Sequence, residues 1–205
     1  MTSTLAQTSN LSHAETSMAL NLHDETDRHL LKLMNNACPG AFEELFARYE
    51  TRLIAYASRY VDSIDLAKDV CQEVFLKLIN KPPCMLISDS LGPWLFRVAR
   101  NRAIDKRRSR KFEVSEPTSV FNEPREDETP LRTLSRESDA SFIRDLLEEL
   151  PADLRDVVNM RIYADLSFKE ISATLEIPQG TALWRMHRAL ELLRQRWKSQ
   201  HDTTM

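Results

Sequence analysis

The chain of 205 residues is 42% apolar, enough for one large packed core or two small ones, and its 3 glycines argue against strands joined by tight turns. A formal charge of -3 gives no general attraction to phosphate, so a nucleic-acid partner would need a local concentration of basic side chains. No apolar run is long enough to span a bilayer, and no basic patch followed by an apolar stretch opens the sequence, so a cytoplasmic protein without membrane insertion is expected.

Residues 1–24 are rich in Ser and Thr and show weak periodicity, which predicts a mostly disordered tail. A short helix is predicted over Asp27–Met34, with Pro39 and Gly40 marking the turn after it. From Ala41 to Val61 the residues Phe42, Leu45, Phe46, Tyr49, Leu53, Tyr56, Ala57 and Tyr60 recur at helical steps and define one buried stripe. A second amphipathic helix, from about Ile64 to Ile79, turns Ala67, Val70, Cys71, Val74, Phe75 and Leu78 inward. It leaves Lys68, Asp69, Gln72, Glu73 and Lys77 outside, and Pro82 with Pro83 stops it. Pro93 opens a third helix, Trp94 to about Lys111, whose first half supplies Trp94, Leu95, Val98 and Ala99 to a core. Its second half is too basic to be buried.

The sign of charge then reverses. Residues 113–141 carry Glu113, Glu116, Glu123, Glu126, Asp127, Glu128, Glu137 and Asp139, together with Pro117, Pro124 and Pro130, and read as a flexible acidic linker. Beyond it four helices are predicted: Phe142–Leu150, Ala152–Tyr163, Ser167–Leu175 and Gln179 to about Lys198, with Pro151 and Pro178 where helices start. The expected fold is therefore all-α, with two small helical domains, 25–112 and 142–200, joined by the linker.

Three constellations could carry function. Arg97, Arg100, Arg102, Lys106, Arg107, Arg108, Arg110 and Lys111 face the single acid Asp105, a density that exceeds what complementing a helix dipole needs and suits a phosphate track. The last two helices have the proportions of a helix-turn-helix, with Phe168, Ile171 and Leu175 inside the first and Ile177, Ala182 and Met186 packing the second against it. The second helix would then expose Arg185, Arg188, Arg194, Arg196 and Lys198, with Gly180 and Thr181 at its N-terminal end near phosphates; a plain helical hairpin with a solvated basic face fits the same residues. Asp65, Asp69 and Glu73 align three carboxylates on one helix face, but the Glu-x-x-His pair of metal-carboxylate bundles is absent. Cys38, Cys71 and Cys84 have no Cys-x-x-Cys spacing, so buried reduced thiols are expected, with no metal and no cofactor.

The segment DLAKDVCQEVFLKL, 65–78, resembles the region-two helix with which bacterial sigma factors dock on the polymerase clamp: Ala67, Asp69, Gln72, Glu73 and Phe75 match, while Leu66 and Lys68 stand where acids are usual. WLFRVARNRAIDKRRSRK, 94–111, is similar to the same family's promoter-melting helix. LEELPADLRDVVNMRIYADLSFKEISATLEIP resembles sigma region four, and GTALWRMHRAL its recognition helix, in which Gly180, Thr181, Arg185, Arg188 and Ala189 match. Leu183 stands where Lys or Arg is usual, Trp184 where Ser is usual, and Glu176 where the turn commonly has Gly.

With these motifs in the family's order, the chain is identified as a sigma factor of the extracytoplasmic-function group. The resemblance implies that Asp69, Gln72, Glu73 and Lys77 contact core RNA polymerase, and that Trp94, Arg97, Arg100, Asn101, Lys106, Arg107 and Arg108 meet promoter DNA. It implies that the loop Lys81–Pro93 cradles an unstacked base, and that Gly180, Thr181, Leu183, Trp184, Arg185 and Arg188 lie on the upstream element. Trp94 can serve as a stacking surface or as core, and Leu183 with Trp184 can face thymine methyls or another protein. An anti-sigma protein is a further expected partner. The rival functions are a free-standing helix-turn-helix regulator, which would bind DNA tightly without polymerase, and a helical carboxylate metalloenzyme.

Overall fold

The computed structural model describes residues 22–87, 89–113 and 145–201, and among these the regular structure is helical, apart from an isolated antiparallel bridge between Ile87 and Ser90. Residues 1–21 of the Ser/Thr-rich segment, residues 114–141 of the acidic one, the start of the helix expected at Phe142, and the side chains of Arg110 and Lys111 lie outside the described residues. The chain divides into two compact units, Met1–Ala103 and Ile104–Met205.

Helix α1 (Asp27–Asn35) starts at Thr26, whose side chain accepts the His29 N–H. Gly40 precedes α2 (Ala41–Ala57) with φ of 83°, and a Cβ there would lie 3.1 Å from Leu22 Cδ1, so both backbone and space favour glycine. The expected helix to Val61 ends at Ala57, because the Arg59 and Tyr60 amides reach back to the Tyr56 and Ala57 carbonyls in a tighter turn that still buries Tyr60 and Val61. Ser63 caps α3 (Ile64–Asn80) by accepting the Leu66 N–H at 3.2 Å. The fourth helix, α4, runs unbroken from Gly92 to Glu113.

The buried residues of α3 are the six expected: Ala67, Val70, Cys71, Val74, Phe75 and Leu78. Phe75 meets Phe42 edge-on at 5.9 Å between ring centroids and lies 4.7 Å from Phe46, locking α3 on α2. In α4 the expected core is corrected at one position. Trp94 is only half-buried, and the aromatic that enters the interior is Phe96, with Leu95, Val98, Ala99 and Ala103. Its ring lies 5.3 Å from Tyr56 and 6.4 Å from Tyr49, while the Arg52 guanidinium covers the Tyr49 and Phe96 rings at 5.5 and 5.6 Å. Each such aromatic side chain removed from water stabilises the unit by about 1.5–3 kcal/mol. The cysteines also differ from expectation: Cys71 is buried, Cys38 half-buried and Cys84 exposed. Burial, with the Glu50 charge adding to it, pushes the Cys71 thiol up to about 11.

In the second unit a helical stretch at 145–148 leads to α5 (Ala152–Ile162), α6 (Phe168–Leu175) and α7 (Gln179–His201). Leu147, Leu150, Leu154, Val158 and Ala189 form its core cluster, with Met186, Leu192 and Leu193 packed against it. Met186, expected to help seat α7, is thus packed against this cluster. Ile171, Thr174, Ala182 and Ala189 are the buried residues of the α6–α7 pair, whereas Phe168 and Leu175, expected inside, are half-buried. The Thr174 hydroxyl donates to the Glu170 carbonyl at 2.7 Å, which satisfies it in an apolar setting.

Candidate polymerase and nucleic-acid interfaces

The outer face of α3 exposes Asp69, Gln72 and Lys77. Glu73, expected fully outside, is half-buried and lies 3.6 Å from the Arg102 Nε of α4. Leu76 and Ile79 are exposed on this helix and were not foreseen; with Asp69 and Gln72 they recur at three- and four-residue steps, so one line of the helix carries both polar and apolar contact groups. Large apolar side chains grouped on one exposed line leave area that a partner could cover.

Along α4, burial ends where charge begins. Asn101, Arg102, Arg107 and Arg108 are exposed, and Arg97, Arg100, Lys106 and Trp94 are half-buried, while Ala103 is fully enclosed. Helical periodicity therefore gives one continuous rod with an apolar root and a cationic outer face.

The start of that rod is held from a distance. Leu91 is the residue before α4: its carbonyl accepts the Leu95 N–H at 3.1 Å, and its own amide, buried, donates to Asp27 Oδ2 at 2.7 Å. Asp27 is 6% exposed, accepts Arg48 Nη1 at 2.8 Å and receives the Tyr49 hydroxyl. Burial and the Asp27 charge push the Tyr49 phenol up; burial disfavours the Arg48 cation, but hydrogen bonds to Glu44 and Asp27 outweigh it and hold that guanidinium above its ordinary value. Ser90 Oγ accepts the Gly92 amide at 3.2 Å, and Arg28 pairs with Asp89.

Local contacts define both ends of α6. Ser167 and Glu170 make a reciprocal capping box, Glu170 N–H to Ser167 Oγ at 3.3 Å and Ser167 N–H to Glu170 Oε2 at 2.9 Å. Glu176 ends α6 in the left-handed region, φ 56°, which explains why the position commonly holds glycine in the pattern it resembles. At the head of α7 the Thr181 and Ala182 amides return to the Pro178 carbonyl, and Gly180 is exposed, with open space around a Cβ built there. Leu183 and Trp184 are 46% and 61% exposed. Arg185, expected on the exposed face, is turned aside: its side chain is 23% exposed and lies 3.4 Å from Asp153 of α5. Arg196 is likewise held by Glu149 at 2.9 Å, and Arg188 pairs with Glu191 at 3.1 Å.

Among the described residues no group of three His, Cys, Asp or Glu could hold a metal ion, and Asp65, Asp69 and Glu73 do not form one. Nor is any described helix long and apolar enough to cross a membrane.

Comparison with known proteins agrees with this anatomy. The family described as Sigma-70 region 2 matches residues 45–113, and that described as Sigma-70, region 4 matches residues 143–193. The chain is 32% identical over 168 residues to the RNA polymerase sigma factor CarQ of Myxococcus xanthus, covering 80% of this chain and 94% of that one. It is 29% identical over 177 residues to the ECF RNA polymerase sigma-E factor of Escherichia coli (strain K12), covering 82% and 92%. Its fold is similar to that of CnrH, solved in complex with the cytosolic domain of CnrY, at TM-score 0.65 and 19% identity over 85% of this chain and 99% of that chain. It is also similar to the sigma factor RpoE of Bartonella quintana, solved with the anti-sigma factor NepR, at TM-score 0.57 and 23% identity over 77% and 96%.

Proposed function

Since the chain belongs to the sigma-70 family, in its extracytoplasmic-function group, and directs RNA polymerase to promoters, we propose that its two halves divide that work. Residues 25–112 bind the polymerase clamp and open the promoter, residues 142–200 hold the upstream element, and residues 113–141 join them. On α3, Asp69, Gln72, Glu73 and Lys77 make the polar clamp contacts, and the exposed Leu76 and Ile79 add apolar area.

The observation that carries this reading is the rod α4. A helix rooted in a packed core and cationic on its outer face can track phosphates without moving its backbone, so only side chains need ordering when DNA arrives. Arg97, Arg100, Asn101, Lys106, Arg107 and Arg108 take that role, and the half-buried Trp94 offers a ring edge to an unstacked base. Extruding a base costs a few kcal/mol, offset by stacking and cationic contacts to the freed strand. The protein makes and breaks no bond, and it works in the cytoplasm, where polymerase and chromosome are.

On α7, Gly180 and Thr181 approach phosphates and Arg188 contacts the groove. Leu183 and Trp184 stand out from the helix and suit thymine methyl groups better than guanine, and Arg185 joins them when it leaves Asp153. An anti-sigma protein that covers these faces is the partner expected to restrain the chain, since the Bartonella quintana relative was solved with one.

The test is transcription by purified chain plus bacterial core polymerase on fragments of the host genome. New start sites that require the chain are expected; none would overturn the assignment. Tight specific DNA binding by the chain alone, unchanged by polymerase, would favour a free-standing regulator.

A further inference from the structure

A buried carboxylate in α1 has its partners in two other parts of the fold. Asp27 receives Tyr49 and Arg48 from α2 and the Leu91 amide from the residue that starts α4. Leucine has no side-chain oxygen with which to cap a helix, and Pro93 has no N–H, so the first turn of α4 takes its acceptors from outside: Asp27 for Leu91 and Ser90 for Gly92. An anion at this end also complements the dipole of the rod. Next to it, Arg28 pairs with Asp89, which sits in the left-handed region at φ 58° within the turn closed by the Ser90 amide on the Ile87 carbonyl at 3.0 Å. Two successive residues of α1 thus pin the loop before α4 and Leu91, the residue that leads into the rod. Both lie upstream of the segment that matches region 2, which begins at residue 45.

We propose that Asp27 is a positioning residue for promoter opening, fixing through the Leu91 amide where α4 begins and how the 81–91 loop meets it; this role rests on the promoter-opening function given to α4 above. It touches no DNA. An acceptor set in a buried, preformed network holds the loop without conformational cost at the moment a base is extruded, whereas a loop attached only by its chain would have to be ordered then.

The full chain carrying Asp27→Ala or Asp27→Asn, assembled with core polymerase, tests this on a promoter recovered from the transcription assay, with permanganate reactivity of unpaired thymines as the readout. Asparagine keeps one oxygen for the Leu91 amide and alanine keeps none. Asp27→Ala is expected to bind core normally and to open duplex promoter about tenfold more slowly, the order expected when a buried amide loses a charged acceptor. Asp27→Asn restores most of the rate, and a promoter carrying a premade mismatch bubble restores Asp27→Ala. A wild-type opening rate for Asp27→Ala, or an equal defect on the bubble template, overturns the proposal. Should Asp27→Ala fail to bind core, surface-exposed Arg28→Ala decides: slowed opening with unchanged core affinity supports the role, and unchanged opening overturns it. Arg107→Ala with Arg108→Ala separates the two levels. A wild-type rate there removes the function given to α4 and the positioning role with it, whereas a wild-type rate in Asp27→Ala alone removes only the latter.

Discussion

The first unit joins three of its elements through a buried carboxylate, Asp27, and the large apolar side chains it exposes are all non-aromatic, whereas the second buries Asp156 and Asn159 within α5 and leaves two indoles, Trp184 and Trp197, at its surface beside Leu183 and Leu190. Part of the difference is residue type, because an indole left at the surface holds more apolar area than a leucine or isoleucine. The remainder is placement. An interior polar network sets a geometry before any partner arrives, while surface indole and leucine side chains gain only when something else removes them from water. Preset geometry suits melting, where the site must outcompete base stacking; adaptable apolar area suits docking.

Four variants sharpen or break that contrast. Phe96→Ala should cost about 3–5 kcal/mol, since the ring is fully enclosed between Tyr49 and Tyr56, and a urea midpoint for the full chain close to wild type would show that the first unit is less tightly set than its packing implies. Trp184→Ala, an equally large truncation, should change stability by less than about 0.5 kcal/mol yet weaken promoter binding by the polymerase complex by about 1–3 kcal/mol, with relaxed base preference. Loss of anti-sigma binding with promoter affinity unchanged would instead assign that indole to protein. Glu176→Gly should stabilise the second unit by about 0.5–1 kcal/mol, because glycine adopts the left-handed turn without a Cβ clash; a lower melting temperature would mean that the glutamate side chain has a role of its own. Smallest in stability is the pair Gln72→Ala with Glu73→Ala. Removing the exposed contact to Arg102 should matter by less than about 0.5 kcal/mol, while co-elution with core polymerase is lost.

The helical stripes were legible because one face of each helix is buried and the other wet: every inner residue read for α3 is enclosed in the structure. Phe96 was also within reach, since it shares helical spacing with Ala99 and Ala103, but the neighbouring Trp94 drew the reading by its size. Leu76 and Ile79 were missed because amphipathic periodicity assumes that apolar side chains turn inward, an assumption that fails where a second protein is the intended cover. The positions of Arg185 and Asp27 were not legible at all. Which acid an arginine meets, and which amide a carboxylate accepts, are set by contacts between elements far apart in sequence, and a single chain of letters carries no signal for such pairs without the fold.

The Asp27–Leu91 bond spans 64 residues, and this separation bears on how the protein is made. At a synthesis rate of about 5–20 residues per second, roughly 3–13 s pass between the addition of the carboxylate and that of its amide partner. During that interval α1 and α2 can associate through Tyr49 and Arg48, which are short-range and cheap in loop entropy. The rod's first turn gains its outside acceptor only after Leu91 clears the ribosome. Closure of α1 onto α4 is thus a late event in the biogenesis of the first unit, and until it occurs water stands in for the missing donor.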